Sequence, residues 1–450
     1  MNIAYLHSHD TGRYIQPYGH AVHTPNLQRL AEQGTLFRDA HSVAPTCSPS
    51  RAGLLTGQSA HAAGMVGLAH LGGRLAHPER HLAVFLRERG YETVLAGLHH
   101  VGPAGTEGYT QVGDANLRHG HEISEFAQRF LRERNPAKPF FLDCGYTETH
   151  RTEWACHGFN QEHHVPRDGH GNAGYVMPPP VLPDTPETRR DWLDYRHSVE
   201  RLDAYHGQVL DELERQGILD DTLVLCTTDH GLALPQMKCK LTAHGTGVLQ
   251  IVRFPKGLGQ GQVLDALVSH LDVFPTICEL LGAEPPGWLE GRSLLPLVRG
   301  DAAAIRDEAF SEVTFHAAFE PKRAVRTKQY CYIRNYALPH REILPNCDDG
   351  HAKRYLMRNG MPEREAEPEE LYDLTWDPQE TNNVATDPAF AGVRADLAAR
   401  LDAWMRSTDD PLLHDDPAGV LPLPMRCVPW SENEPDFPKQ EWDPAQWAKR

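Results

Sequence analysis

At 450 residues, 40% of them apolar and 23% charged, the chain is long enough for two or three domains of about 100–200 residues each and too large for a disulfide-stapled or metal-nucleated miniprotein. Its 61 acidic against 44 basic side chains leave a formal charge of −17, which excludes nucleic acid as a general partner but leaves room for a local anion site. Nine cysteines without a Cys-x-x-Cys pair fit neither a secreted disulfide framework nor a structural zinc site, so most are expected to be reduced and buried.

The chain opens directly on a strand, Asn2–Leu6, which ends in His7-Ser8-His9-Asp10. With no basic and apolar leader before that strand, a cytoplasmic location is expected. No stretch reaches the ~18 apolar residues of a membrane span. Helical patterns cover Pro25–Gln33 and His81–Arg89, followed by a strand at Tyr91–Leu95 ahead of His99-His100. A helix at Glu122–Glu133 and a strand at Phe140–Cys144 come next, the latter ahead of Thr147–His150. Residues His157–Glu187, rich in His, Gly, Asn and Pro, read as a long irregular excursion over one rim. A long helix, Arg189–Gln216, then leads to a strand at Thr222–Cys226 ahead of Asp229-His230. Val268–Leu281 reads as helical, and Pro/Gly-rich segments close a first domain at 1–300. Over 301–450 the texture changes to short strands at Ala324–Thr327, Tyr330–Asn335 and Glu370–Leu374, a helix at Phe390–Met405, and 40 final residues expected to wrap back over the fold. Short apolar runs alternating with helices predict an α/β fold, a large mostly parallel sheet sandwiched by helices, with a smaller C-terminal antiparallel sheet domain. Four strands ending alike in polar clusters predict one shared site at the strand C-termini. The 27 histidines point to metal or proton chemistry there.

The sharpest signal is Thr46-Cys47-Ser48-Pro49-Ser50-Arg51-Ala52-Gly53-Leu54-Leu55-Thr56-Gly57. Ser48 suits a helix N-cap, Pro49 the first helical position and Gly57 the C-terminal cap. Cys47 is thereby expected just ahead of a helix N-terminus, where free N–H groups and the dipole favour an anion. Arg51, in the first turn, can present its planar fork to the same anion. Taken alone, Cys47 also reads as a buried structural thiol.

Cys-x-Pro-Ser-Arg followed by Leu55-Thr56-Gly57 resembles the signature of the formylglycine-dependent sulfatases of the alkaline-phosphatase superfamily. His23-Thr24-Pro25-Asn26-Leu27 with Gly34-Thr35-Leu36-Phe37 is similar to the segment before that signature. Glu370-Leu371-Tyr372-Asp373-Leu374 with Asp377-Pro378, Glu380 and Asn383 is similar to the family's C-terminal segment. The resemblance is nearest to the N-sulfoglucosamine sulfohydrolase-like branch, through Ser48-Pro49-Ser50-Arg51 and His150-Arg151. It implies an alkaline-phosphatase-like fold and hydrolysis of sulfate esters or sulfamates. It also implies that a separate formylglycine-generating enzyme oxidises Cys47 to formylglycine, whose hydrate carries two hydroxyls. One attacks sulfur; the other then loses its proton, and collapse to the aldehyde expels sulfate.

The same resemblance implies one divalent metal, calcium first and manganese second, with His9, Asp10, Cys47, Asp229 and His230 around it. His9 stands where the family pattern has an aspartate, and imidazole moves the preference toward manganese, iron or zinc. His100 is expected to take the proton from the free hydroxyl, and His150 to donate toward the departing oxygen. Lys238 is expected to bind sulfate, with Lys240 its rival. Leu98 replaces an expected lysine, and His99 and Lys240 read as solvated or structural rather than catalytic. His316 and Arg323 are expected to shape the pocket. Expected partners are a small sulfated substrate and the formylglycine-generating enzyme, with neither nucleic acid nor membrane; a homo-oligomer stays open. Two other functions stay open. A phosphonate monoester hydrolase or phosphodiesterase shares the signature and lacks the lysine. A non-enzymatic, unmodified scaffold binding sulfated glycans fits the fold but not the intact Cys47–Arg51 signature.

Overall fold

Strand β1 (Asn2–Ser8) is buried from Ile3 onward, and its alternate side chains serve two cores. Ala4 and Leu6 join one apolar cluster, Ile3 and Tyr5 the other. This is the pattern of a strand covered on both faces. The computed structural model describes residues 1–102, 107–113, 119–151, 159, 172–336 and 342–414. Within them, the strands that join β1 are β2 (Thr35–His41), β3 (Glu92–Gly97), β4 (Gln111–Val112), β5 (Phe140–Gly145), β6 (Thr222–Thr228), β7 (Gln250–Arg253) and β8 (Gln262–Ser269). They form an eight-stranded sheet in the order β4-β3-β5-β1-β6-β7-β2-β8. All neighbours are parallel except around β7, which runs antiparallel to both β6 and β2.

Helices that flank the sheet among the described residues include α1 (Pro25–Gln33), α2 (Cys47–Thr56), α3 (Leu82–Arg87), α4 (Gly120–Glu133) and α5 (Pro186–Arg215). On α4 the buried residues Ile123, Phe126, Ala127, Phe130 and Leu131 recur at helical spacing and turn one stripe to the sheet. Helix α5 begins where Thr185 accepts from the Thr188 N–H and Pro186 occupies the first turn, the start that these residue types favour. No helix among the described residues is long and apolar enough to cross a membrane. The seven cysteines among the described residues are free and buried.

The four expected strands form, and β1, β3, β5 and β6 end on one edge of the sheet. The helix expected over Val268–Leu281 is shorter. Val268 and Ser269 close β8, a turn at His270–Asp272 follows, and the helix covers Val273–Leu280. Ser269 starts the turn by accepting from Leu271 N, while Asp272 accepts from the Ser269 N–H. An apolar run that passes from strand to helix carries no period to mark the change. Of the His157–Glu187 excursion only Phe159 and residues 172–187 are described. The expected wrap of the C-terminus falls on 415–450, outside the described residues.

A second sheet, antiparallel in the order β12-β11-β10-β9, is built from β9 (Glu308–Phe315), β10 (Phe319–Thr327), β11 (Tyr330–Asn335) and β12 (Glu369–Asp373). A helix at Ala391–Ser407 packs Leu397, Leu401 and Met405 against Val325, Tyr332 and Leu371. Strand β9 docks on the larger part through Ser311 Oγ to the Ser42 carbonyl (2.8 Å), Glu312 N to Val43 O (2.8 Å) and Phe315 N to Val66 O (3.0 Å). Arg323 is fully buried in this seam. It donates to Asp410 at 2.5 and 3.0 Å and lies 3.3 Å from Glu312, which in turn holds His61 at 2.8 Å. The expectation that Arg323 shapes the pocket is therefore corrected. A buried guanidinium needs its carboxylates, and these lie in the seam.

Candidate active site

Helix α2 starts two residues before the expected position. Thr46 takes the extended N-cap conformation, and Cys47 is the first helical residue. Ser48 is no cap, because its Oγ instead accepts from the Ala69 N–H at 3.0 Å. Thr46 Oγ1 is not free to cap either, since it lies 3.1 Å from His316 Nδ1. Gly57 does end the helix in the left-handed conformation, with φ at 70°. Cys47 is buried, with Sγ 3.4 Å from His230 Nε2 and 3.9 Å from His9 Nδ1.

The turn after β1 brings in His9 and Asp10, and the turn after β6 brings Asp229 and His230. Asp10 sits at φ 56°, a left-handed position that Asp tolerates better than most residues, and its N–H donates to Asp229 Oδ1 at 2.8 Å. His9 Nδ1 lies 2.9 Å from Asp10 Oδ1 and 3.2 Å from Asp229 Oδ2. His230 Nε2 lies 3.2 Å from Asp10 Oδ1. Ligand atoms of His9, Asp10, Cys47 and Asp229 all fall within 4.8 Å of one another.

This donor set fits a divalent cation. His230 Nδ1 donates to the Gly231 carbonyl at 2.9 Å, which leaves the Nε2 lone pair toward the two carboxylates, as in histidines that ligate metals. Burial alone would raise the Asp10 carboxyl, but Lys238, His9 and His230 outweigh it and hold it well below the usual range. Burial is likewise overcome at Asp229, by His230, His9 and Arg51. Burial pushes His9 down to about 4 despite both carboxylates, so its ring is neutral at physiological pH and able to ligate. The Cys47 thiol is pushed well up by burial, against the pull of Lys238, and is a poor nucleophile as it stands.

The remaining expected residues fall around this cluster. Lys238 Nζ donates to Asp10 Oδ2 at 3.0 Å and to Asp348 Oδ1 at 3.3 Å. Lys240 pairs with Glu342 at 2.5 Å and His99 contacts His81 at 3.2 Å. His100, at φ 58°, has a ligand atom within 4.8 Å of those of His9 and Cys47, and its Nε2 lies 3.1 Å from His70 Nδ1. Burial, with His9 and Arg51, pushes His100 well down, leaving a neutral ring. His150 is half-buried on the rim. Its Nδ1 donates to the Arg151 carbonyl at 2.6 Å and its ring meets His9 edge-on at 4.6 Å.

Arg51 departs from expectation. Its fork is committed inward, with Nη2 on Asp229 Oδ2 (3.0 Å) and on the Ser8 carbonyl (2.9 Å) and Nη1 on His7 Nδ1. Sequence reasoning missed Asp348, His7, Asp143 and Tyr109 as members of the site. Asp143 carries a readable signal, a lone charge inside the apolar strand Phe140–Cys144.

Two family models match the chain: Sulfatase over residues 2–283, and N-sulphoglucosamine sulphohydrolase, C-terminal, over 245–359. Homo sapiens N-sulphoglucosamine sulphohydrolase is 31% identical over 480 residues, covering 91% of this chain and 90% of the human protein. An ulvan-active sulfatase of Formosa agariphila is 27% identical and covers 91% of this chain and 75% of its own. Among solved structures, the phosphonate monoester hydrolase of Agrobacterium radiobacter shares the fold, with a TM-score of 0.67 at 20% identity over 90% of this chain and 96% of that one. With one model matching more than half its length and a relative aligned across nine-tenths of both chains, the chain belongs to the sulfatase family.

Proposed function

We propose that this sulfatase hydrolyses the N- or O-sulfate of a small amino sugar, using formylglycine made from Cys47 and a divalent cation held by His9, Asp10, Asp229 and His230. The observation that carries this reading is the place of Cys47, first residue of α2 and within 4.8 Å of the ligand atoms of two carboxylates and an imidazole. The human relative's name supports the amino-sugar class. A cation there would acidify a hydroxyl on residue 47 and draw charge from the sulfate oxygens. Lys238, on Asp10 Oδ2 at 3.0 Å, supplies a second positive charge beside the cluster. Neutral His100 is placed to accept a proton. His150 already commits its Nδ1–H to Arg151, so it donates to a leaving group only when Nε2 is protonated as well.

The mass of the tryptic peptide Asp39–Arg51, from protein made alongside a formylglycine-generating enzyme, tests this directly. A peptide lightened by conversion of thiol to aldehyde is the expected result. An unmodified thiol would remove the mechanism and favour the binding scaffold.

Calcium is the proposed cation on the family pattern, with manganese second because two of the four donors are imidazoles. His9→Asp replaces nitrogen with oxygen and is expected to raise calcium affinity relative to manganese about tenfold, roughly 1.4 kcal/mol. An unchanged ratio in metal-titrated thermal melts would show that His9 is no ligand. Leu98, in place of a cation, is the observation that favours the phosphonate reading. Faster hydrolysis of phosphonate monoesters than of sulfate esters or sulfamates would establish it.

A further inference from the structure

Alongside the ligand cluster runs a set of buried polar groups that the proposed chemistry does not use. Tyr109, which precedes β4, donates its hydroxyl to Asp143 Oδ2 on β5. Asp143 Oδ1 lies 2.7 Å from His7 Nε2 on β1. His7 Nδ1 meets Arg51 Nη1, and Arg51 Nη2 reaches Asp229 Oδ2 at 3.0 Å. All five side chains are buried. An unbroken line of hydrogen bonds thus joins a phenol in the sheet interior to a carboxylate of the ligand cluster.

Elementary hydrogen-bond chemistry sets its direction. A guanidinium only donates, so His7 Nδ1 must accept. The ring proton then sits on Nε2 and goes to Asp143, which also accepts from the phenol. A proton on Nδ1 would set donor against donor at Arg51. The ring is held in place: it stacks on Tyr5 at 4.4 Å and 25°. On β5, a Cβ at Gly145 would lie 2.6 Å from His7 Cε1, so glycine leaves the space that the ring fills.

We infer that His7, Asp143 and Tyr109 are positioning residues that hold Arg51 against Asp229 and so set the geometry of the cation site from inside the sheet, an inference that rests on Asp229 being a ligand. Groups that orient ligating side chains in this way are worth about 10–100-fold in metal affinity or activity. The line also explains why Arg51 turns inward: with His7, Ser8 O and Asp229 all accepting, the guanidinium is held from both ends.

The test compares His7→Leu, which removes both hydrogen bonds, with His7→Gln, whose amide keeps one donor and one acceptor. Manganese and calcium affinities are measured by equilibrium dialysis, kcat and KM on an aryl sulfate, and folding by thermal melt. His7→Leu is expected to fold, to lose about 10–100-fold in cation affinity, and to lose kcat more than KM, with His7→Gln recovering most of both. Wild-type affinity in a folded His7→Leu would overturn the inference. Imidazole 15N shifts of His7 in the wild-type protein provide a readout that needs neither metal nor a stable variant. Protonation at Nε2 with a bare Nδ1 is expected, and a proton on Nδ1 would overturn the relay. A wild-type protein that takes up no divalent cation would instead remove the reading of Asp229 as a ligand, leaving the 15N result to judge the relay alone.

Discussion

Cys47→Ala is expected to abolish turnover while the protein stays folded. The side chain lies at the start of α2 and touches a small apolar cluster of Val66, Leu68, Leu71, Phe315 and Phe319. Removing one sulfur there costs about 1 kcal/mol of burial, a small part of the stability of a domain this size. The chemistry has no such reserve. Cys47 is the only cysteine in the ligand cluster among the described residues, and loss of a nucleophile typically costs about 10⁴–10⁶ in kcat. Hydrolysis of an aryl sulfate, followed beside the thermal melt, checks both halves. A folded Cys47→Ala protein within tenfold of wild-type activity would exclude residue 47 as the source of the nucleophile.

The second large effect is expected at Asp10. Its carboxylate is the meeting point of the site, with Lys238 Nζ at 3.0 Å, His9 Nδ1 at 2.9 Å and His230 Nε2 at 3.2 Å. Asp10→Asn is the informative change, because asparagine tolerates the left-handed backbone at φ 56° and keeps the N–H that donates to Asp229. Lys238 keeps Asp348 as a counter-ion, so no cation is orphaned. The fold is expected to survive, the bound cation to fall below about a tenth of the wild-type content, and kcat to drop about 10³-fold or more. Elemental analysis of the purified variant decides: full occupancy would remove Asp10 from the ligand set. The pH dependence has a definite sign. Burial opposes ionisation of Asp10, but Lys238, His9 and His230 lower its pKa overall. Its stabilising charge is therefore complete above the unfolded value of about 3.9 and is lost only as pH falls through the lower folded value.

Much of this arrangement is legible in the amino-acid sequence alone. Strands β1, β3, β5 and β6 announce themselves as short apolar runs closed by polar clusters, and Cys47, Asp10, Asp229, His230, His9 and Lys238 all converge. The losses have physical causes. Strand β2 mixes exposed Arg38 and half-buried Asp39 into its apolar run, so no period shows. Ser48 looks like a cap on local grounds, yet a neighbouring loop claims its hydroxyl. Asp348 reaches Lys238 across 110 positions of chain, and His7 gains its meaning only when β5 sets Asp143 beside it. No local pattern encodes either contact.

The seam between the two sheets has a consequence for how such an enzyme diversifies. Cys47, His9, Asp10, Asp229, His230 and Arg51 all belong to the large sheet and its helices, whereas His316, between β9 and β10, and Asp348 arrive from the smaller part and touch Thr46 and Lys238. Inheritance is thereby split. Exchange of the His316 turn and the 342–350 segment would change what rests on Thr46 and Lys238 while leaving the turns that carry Cys47, Asp10 and Asp229 unaltered.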